Sequence, residues 1–310
     1  MSVPSFDVVG GGAAAVDDIL FVAGHITDGK AQVVRRERRF GGNVSTTLVA
    51  AARSGATAAF IGHLPGVASD AGLLDHLRAE GVVLEYARVS AETRAIHSTI
   101  LVGTEGERFI AFDDMTSVGL PDDLNLDLVT RARVLVLDAY GIAGAIRAAR
   151  AARAARVAVV VDIERALDPR TGEMLGLADH LVLPLDFALN WTGARTAAQA
   201  VTALWRADRS AVVVTGGADG CWYRSADHGG AGSDLVSHRP AVPVRAKDTT
   251  GCGDVFHGVY AANLAAGASV ADCIAAATVA GAECATHVGG IGPATTRRAH
   301  TGSLEECRHD

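Results

Sequence analysis

The sequence lacks the features that would place the protein in an oxidising compartment or in a membrane. Its five cysteines are odd in number and widely spaced, with no C-x-x-C pair, so neither a disulfide framework nor a zinc site is indicated. No run approaches the roughly 18 apolar residues of a membrane span, and MSVPSFDVV has neither the basic nor the apolar region of a secretion signal. We therefore expect a soluble, cytoplasmic protein with no membrane partner.

Positive charge is also scarce. The formal net charge of −7 gives no electrostatic reason to expect a nucleic-acid partner, because phosphate contacts need clustered Lys and Arg. The segment IRAARAARAAR is the exception, with arginines at Arg147, Arg150, Arg153 and Arg156. On a helix of about 3.6 residues per turn, this spacing makes the arginines spiral around the axis instead of forming one stripe. We interpret the segment as a solvated helix face over alanines.

The composition itself is typical of a globular α/β enzyme, because 49% of the 310 residues are hydrophobic and 20% are charged. Short β-branched runs alternate with amphipathic stretches, and the runs are FDVVG, ATAAFIG, ARVLVLD, VAVVVD, HLVLP and SAVVVTGG. Such apolar strands are typical of a parallel sheet with helices on both faces. We predict a single domain over residues 1–310. The stretch SDAGLLDHLRAEGV is expected to be a helix that begins at a cap of Ser69 and Asp70.

Two stretches depart from this rhythm by alternating polar with apolar residues. They are KAQVVRRERRF, residues 30–40, and RAIHSTILVGTEGERFIAFDD, residues 94–114, in which GTEGE predicts a turn. We expect a small antiparallel sheet inserted into the parallel body from about 14–40 and 92–114. Such a sheet is a candidate lid over a site, and a candidate surface for a homodimer.

The stretch FDVVGGGAAAVDD matches the G-x-G-x-x-G/A spacing of dinucleotide-binding loops through Gly10, Gly12 and Ala15. A dinucleotide loop must enter a helix, whereas the following AVDDILFVAG favours extended chain. The acidic residue expected about 20 positions further on would fall in the basic VVRRERR. A nicotinamide-dependent oxidoreductase is therefore disfavoured. The glycines instead let a strand exit turn tightly, or shape a small-molecule site that contains Asp17.

The stretch KDTTGCGDVFHGVYAANLAAG carries the strongest chemical signal. Gly251 and Gly253 precede Asp254, and the residues that follow have helical periodicity, so a glycine-rich turn is predicted at a helix N-terminus. Exposed N–H groups there, together with the positive end of the helix dipole, suit phosphate oxygens. Residue type and spacing alone leave two interpretations of Asp254. It is a carboxylate that stabilises the helix, or a base that takes a proton from an attacking hydroxyl.

At these residues the chain resembles a known family. DTTGCGDVFHG resembles the C-terminal signature [DN]-T-x-G-[AC]-G-D of the PfkB, or ribokinase-like, carbohydrate kinases, and FGGNVSTTLVAAARSG resembles their N-terminal G-G-N signature. Within the family, VDIER, TGGADGC and VAGAEC are most similar to the ketohexokinase and sulfofructose kinase branch. The resemblance implies a ribokinase-like α/β fold, with a mainly parallel sheet, and ATP-dependent phosphorylation of a sugar hydroxyl.

Carried over by position, the resemblance assigns the residues that would act on ATP. It implies that Asp254 is the catalytic base, and that Gly251, Cys252 and Gly253 form a backbone anion hole to which Cys252 contributes its N–H and not its thiol. The nucleotide loop TGGADG and a later helix are implied to hold the rest of the nucleotide. Their matching residues are Thr215, Gly217, Gly220, Ala280, Gly281 and Cys284.

On the acceptor side, the resemblance implies that Asp17 accepts hydrogen bonds from sugar hydroxyls. Gly41, Gly42 and Asn43 match the loop that approaches the sugar. The glycines of the opening stretch would then form the floor of the sugar pocket. Arg108 in GERFI matches a lid arginine that reaches substrate or phosphate, and a solvated strand arginine is an equal alternative.

The chain departs from the family pattern at two places. Thr46 stands where many members have a second asparagine, and PLDF, residues 184–187, replaces an N-x-x-E motif associated with magnesium. The metal ligands therefore stay unassigned, with Asp162 and Glu164 as candidates. The sequence predicts a sugar kinase that uses ATP and Mg²⁺, with a ketose as the first choice of acceptor and K⁺ as an optional further cofactor. A nucleoside kinase of the same family and a non-catalytic sugar- or nucleotide-sensing protein stay open as alternatives.

Overall fold

The chain was studied as a computed structural model that describes residues 5–27, 29–105, 107–113, 116–227, 235–287 and 291. The strands, in chain order, are β1 (Val8–Gly11), β2 (Ala15–Ala23), β3 (Gln32–Gly41), β4 (Ala58–Phe60), β5 (Gly62–Pro65), β6 (Val82–Val83), β7 (Ala87–Ser90), β8 (Ile96–Val102), β9 (Arg108–Asp113), β10 (Val134–Leu137), β11 (Ala158–Val161), β12 (His180–Pro184), β13 (Ala211–Thr215), β14 (Cys221–Ser225) and β15 (Ser237–Arg239). The α-helices are α1 (Asn43–Arg53), α2 (Leu73–Ala79), α3 (Ile142–Ala154), α4 (Thr171–Leu177), α5 (Leu185–Thr192), α6 (Ala197–Leu204), α7 (Cys252–Ala265) and α8 (Val270–Ala285).

The central sheet has nine strands in the order β15-β14-β13-β12-β11-β10-β1-β4-β6. All six of the apolar runs form strands of this sheet, and these strands pair in parallel from β4 to β13. Strands β14 and β15 extend one edge by antiparallel pairing. Every residue of β1, β10 and β4 is buried, as expected for parallel strands with both faces covered.

Helices cover both faces of the central sheet, which confirms the predicted layering. One core cluster joins α1, α2, α7 and α8 to the sheet and contains the fully buried side chains of Leu48, Leu73 and Tyr260. The other joins α3, α4, α5 and α6 to the opposite face, with Met174 and Leu181 at its centre. Among the residues that the structure describes, no helix is both long enough and apolar enough to cross a bilayer.

A second sheet of four strands, in the order β3-β2-β8-β9, lies where the lid was predicted. Its outer pairs β2/β3 and β8/β9 are antiparallel, and its central pair β2/β8 is parallel. The stretch AVDDILFVAG, for which extended chain was predicted, forms β2. Because no helix follows the glycines of β1, the structure removes the main requirement of a dinucleotide loop.

Helix α2 begins later than its sequence predicts. Its first residue is Leu73 and its N-cap is Gly72, so Asp70 does not cap it. The Asp70 carboxylate instead accepts the backbone N–H of Ala95 at 2.9 Å and lies 2.6 Å from Nε2 of His97. A contact distant in sequence has therefore replaced the local cap, and it ties the region before α2 to the start of β8.

The arginines of α3 contact separate parts of the fold. Arg147 donates to the carbonyl of Leu124, Arg150 pairs with Glu173 at 2.5 Å, and Arg153 lies 3.4 Å from a carboxylate oxygen of Asp208. These arginines are therefore engaged with neighbouring elements, over a helix side whose alanines at 145, 148, 149 and 152 are buried.

Candidate active site

The first turn of α7 is only partly buried, and Gly253 within it is exposed. The helix begins at Cys252 and its N-cap Gly251 has a φ of 73°, so the predicted glycine turn at a helix N-terminus is confirmed. The N–H of Cys252 lies 3.3 Å from the carbonyl of Thr249 within the turn. The N–H groups of Gly253 and Asp254 are among those that an α-helix leaves without an intrahelical acceptor. They, with the helix dipole, form an anion-binding corner.

Two cavities meet at this turn. The first, of about 450 Å³, lies between the second sheet and the body, and its wall includes Asp17, Gly41, Gly42, Thr46, Gly251 and Asp254. The second, of about 500 Å³, lies on the other side of the turn, and its wall includes Thr215, Gly217, Gly220, Cys252, Gly253 and Gly281. A molecule in either cavity would therefore touch the same four-residue turn.

Asp254 is the carboxylate at the junction. Its side chain lines the first cavity and is partly buried by the surrounding protein. This desolvation raises the pKa of Asp254 well above its usual range, and the nearby carboxylates of Asp162, Glu164 and Asp138 raise it further. A carboxylate with a raised pKa binds a proton more strongly, which suits a general base.

Asp17 stands on β2 and projects into the first cavity. Desolvation raises its pKa, and a hydrogen bond from the Ser98 side chain opposes part of that rise. Its neighbour Asp18 points elsewhere, because it forms an ion pair with Arg38 in which Nε lies 2.8 Å from Oδ1. Adjacent strand residues face opposite sides of a sheet, so only one of the two carboxylates reaches the cavity.

The G-G-N loop connects β3 to α1. Gly42 has a φ of 100°, and a Cβ at this position would lie 2.7 Å from Cα of Ala14, so both the conformation and the close approach require glycine. Gly41 lies beside Asp17 on the cavity wall. The amide of Asn43 turns away from this wall, with Nδ2 at 3.4 Å from carboxylate oxygens of Asp162 and Glu164.

The implied nucleotide residues divide into two groups. Thr215, Gly217, Gly220 and Gly281 line the second cavity. Ala280 and Cys284 do not line it, and instead pack behind it in a small apolar cluster with Ala50 and Val255. Arg108 opens β9, and its side chain lies outside the part of the structure that is described.

Sequence reasoning missed two polar residues behind the anion-binding corner, Asp138 and His257, and considered Asp162 there only as a candidate metal ligand. Asp138 and Asp162 are buried at the carboxyl ends of β10 and β11, and His257 is buried in the second turn of α7. The signal for the two aspartates was present, since the runs VLVLD and VVVD both end in an aspartate and parallel strands end at the same edge of a sheet.

A dedicated metal cage is missing from the described ranges, because no group of three or more His, Cys, Asp or Glu side chains there could hold a metal ion. This arrangement does not exclude a metal that arrives with its own ligands. Mg²⁺ characteristically keeps several waters and binds substrate phosphates with one or two carboxylates at most.

Comparison with known proteins gives the family. The model of the pfkB family of carbohydrate kinases matches residues 6–297. The chain belongs to this family, which confirms the predicted enzyme class of an ATP-dependent carbohydrate kinase. No residue role follows from the match itself.

Solved structures give the fold. A putative ribokinase from Agrobacterium tumefaciens is 24% identical, with a TM-score of 0.81 and 93% of each chain covered. Arabidopsis thaliana ribokinase, complexed with ribose and ATP, is 21% identical, with a TM-score of 0.79 over 93% of this chain and 95% of that one. Adenosine kinase from Sinorhizobium meliloti is 19% identical, with a TM-score of 0.73 over 92% and 95%. These similarities confirm the ribokinase-like α/β fold.

Proposed function

We propose that the protein transfers the γ-phosphoryl group of ATP to a hydroxyl of a small sugar, with a ketose as the first choice. The acceptor binds in the first cavity and ATP binds in the second. The observation that carries this proposal is the position of the α7 turn, since Gly251 and Asp254 face the first cavity and Cys252 and Gly253 face the second. Phosphoryl transfer needs such a shared point, because catalysis is mainly positioning and charge stabilisation.

Each part of the site then has a chemical task. Asp17 accepts hydrogen bonds from hydroxyls of the acceptor and orients it. Asp254 takes the proton of the attacking hydroxyl, for which its raised pKa suits it. The N–H groups of the α7 turn hold the charge that develops on the transferring phosphoryl group, at the positive end of the helix dipole.

Mg²⁺ is proposed as the companion of ATP, because it would neutralise negative charge on the phosphates. The described residues form no cage for it, so we assign no residue of this chain as its ligand. The proposed tasks of Asp17, Asp254 and the α7 turn do not involve the metal. K⁺ stays an optional cofactor that no observation of the site supports.

Two finer proposals concern the choice of acceptor and the location in the cell. The relatives compared above are named as ribokinases and an adenosine kinase, so they give no support to the ketohexokinase and sulfofructose kinase branch, and the ketose acceptor depends on the sequence motifs alone. A cytoplasmic location is proposed, supported by the odd number and wide spacing of the five cysteines.

A homodimer through the second sheet is also proposed. Strand β9 is an edge strand of that sheet, and Phe109, Ile110 and Phe112 on it are 57%, 48% and 53% exposed. Apolar side chains on an edge strand favour association with another surface. Light scattering at micromolar concentration should give twice the monomer mass of 31.8 kDa, and a monomer mass would contradict the proposal.

A nucleoside kinase is the second candidate function. Its support is the apolar part of the first cavity, where Ile19, Phe21, Ile100 and Val102 lie on the wall opposite the α7 turn residues. An apolar wall suits a flat nucleobase, whereas a free sugar gains more from polar partners.

The test is ADP release by the purified protein with Mg-ATP, across a panel of ketoses, aldoses, sugar phosphates and nucleosides. One acceptor class should support turnover, and Asp254→Asn should lower kcat by about 10²- to 10⁴-fold on it. Asp272→Asn is the matched control, since Asp272 lies in the first turn of α8 and joins the Ser269 cap.

The outcomes separate the alternatives. Equal turnover by Asp254→Asn would refute the assigned base and leave the helix-stabilising interpretation. ATP binding without turnover on any panel member would favour the non-catalytic sensing protein. Turnover confined to nucleosides would replace the sugar by the second candidate.

A further inference from the structure

His257 occupies an unusual position behind the anion-binding corner. It lies in the second turn of α7, one turn after Asp254, and it is only 3% exposed. Its Nδ1 is 2.7 Å from the carbonyl oxygen of Gly253, and its Nε2 is 2.9 Å from the carbonyl oxygen of Val182. The ring therefore spans from the first turn of α7 to strand β12.

Both of these partners are carbonyl oxygens, which accept hydrogen bonds and cannot donate them. A neutral imidazole has one N–H, so it would satisfy one carbonyl and turn a nitrogen lone pair towards the other. Only the doubly protonated ring donates to both. A buried ring that faces two acceptors without donating to both would carry the cost of an unmade hydrogen bond.

The surroundings also provide a counter-charge for a protonated ring. An Oδ2 oxygen of Asp162, at the end of β11, lies 3.5 Å from Nδ1 of His257. Asp254 precedes the ring by one turn on α7 itself. A buried cation is tolerated where it is paired and hydrogen-bonded, and both conditions are met here.

We propose that His257 is a positioning residue of the phosphoryl-transfer site, which acts as an imidazolium paired with Asp162 to clamp the first turn of α7 onto strand β12. The inference rests on the proposed function, because it takes that turn as the phosphate-binding corner. The clamp fixes the Gly253 carbonyl, and with it the direction of the neighbouring N–H groups. The proposed positioning role of His257 requires no contact with substrate or ATP.

His180 is a matched comparison within the same core. It is also 3% exposed, on β12, but its Nδ1 lies 2.8 Å from the hydroxyl of Tyr260, which can donate as well as accept. Burial lowers the pKa of His180 to about 4, so this ring is neutral near pH 7. The two buried histidines are therefore expected to differ in the number of their ring protons.

The first experiment reads those protons directly. The ring nitrogens of ¹⁵N-histidine-labelled protein are observed by NMR at pH 7, and His257→Gln and His180→Gln assign the two signals. Both nitrogens of His257 should carry a proton and those of His180 should have the pattern of a neutral ring. A neutral pattern for His257 would overturn the inference, and this readout does not depend on any substrate.

In Asp162→Asn, loss of one proton from His257 is expected, whereas an unchanged His257 signal would refute the pairing.

The second experiment tests the positioning role. His257→Gln should lower kcat by about 10²-fold, the cost of misplacing a reacting group by about 1 Å, with a much smaller change in KM for the acceptor. His180→Gln should leave kcat within a few-fold. If wild-type protein turns over and His257→Gln keeps its kcat, the positioning role is wrong. If wild-type protein neither binds ATP nor turns over, the proposed function fails instead, and the NMR result still stands.

Discussion

The carboxylate of Asp138 occupies the space in which a side chain at Gly12 would have to lie. A Cβ at Gly12 would be 2.3 Å from Oδ1 of Asp138, closer than any real contact of this kind. The same carboxylate accepts the N–H of Ala13 at 2.6 Å and the N–H of Tyr140 at 2.9 Å. The glycine at position 12, directly after β1, is therefore explained by a buried carboxylate and not by a nucleotide.

Gly12→Ala should destabilise the protein. The added methyl group must displace a buried carboxylate that holds two backbone N–H groups, so we expect a loss of about 1–3 kcal/mol of unfolding free energy, typical of overpacking. Urea unfolding measures it. Gly176→Ala in α4 is the matched control, because the nearest group to its Cβ is the flexible end of Arg206 at 3.5 Å. That variant should be neutral or more stable, and equal losses for both variants would contradict the argument.

The stability of the protein should depend on the ionisation of Asp138. Burial raises the pKa of Asp138 to about 7, against the opposing effect of the N–H groups of Ala13 and Tyr140. Because the folded-state pKa lies above the unfolded one, the carboxyl adds stability below about pH 4, and this contribution is lost as the pH rises towards 7. In urea unfolding, the wild type should lose unfolding free energy relative to Asp138→Asn as the pH rises over that interval. A difference that stays constant with pH would count against it.

Asp17→Asn should weaken acceptor binding. The variant removes a charged acceptor from the first cavity, and a hydrogen bond to a charged group contributes about 1.5–3 kcal/mol, which corresponds to roughly a 10- to 100-fold rise in KM for the acceptor. The KM for ATP should change little. Asp18→Asn, at the neighbouring position paired with Arg38, should leave both values within a few-fold. Equal effects at the two positions would show that charge on β2, and not contact with the acceptor, is what matters.

Gly281→Leu should weaken nucleotide binding. Gly281 lines the second cavity on α8, and a Cβ there would lie 3.5 Å from the carbonyl oxygen of Cys252, so a larger side chain must project into the space proposed for ATP. Calorimetric titration with ATP should give at least about a tenfold loss of affinity, or roughly 1.4 kcal/mol. Glu283→Leu, on the exposed side of the same helix, is the control and should bind ATP as wild type does. Unchanged affinity in Gly281→Leu would place the nucleotide elsewhere.

Contiguous features were predictable from sequence. The strands of the central sheet follow from uninterrupted apolar runs, and the α7 turn follows from glycines placed directly before a helical pattern, because both signals are local. The roles proposed for Asp254 and Asp17 likewise come from short stretches of chain that match family motifs.

Features that depend on contacts between distant segments were not predictable. Asp70 has the sequence of a helix cap, yet it binds Ala95 and His97. His257 appears in the motif only as a residue of a helix, and its partners Val182 and Asp162 lie on two other elements. Asn43 points to Asp162 and Glu164, which no spacing rule connects to it. In each case tertiary contacts decide where a polar side chain points.

The register of the four-stranded sheet sets how far its parts would travel if it rotated against the body. Three of its strands meet the body on one line, because Ala15 pairs with both Gly41 and Ile96. At about 3.4 Å per residue, Asp17 lies about 7 Å from this line and Ala23 about 27 Å from it. Any rotation about the line would therefore sweep the tip of the sheet through roughly four times the arc described by Asp17. The carboxylate of Asp17, proposed to bind the acceptor, therefore lies near the axis of such a rotation and would move least.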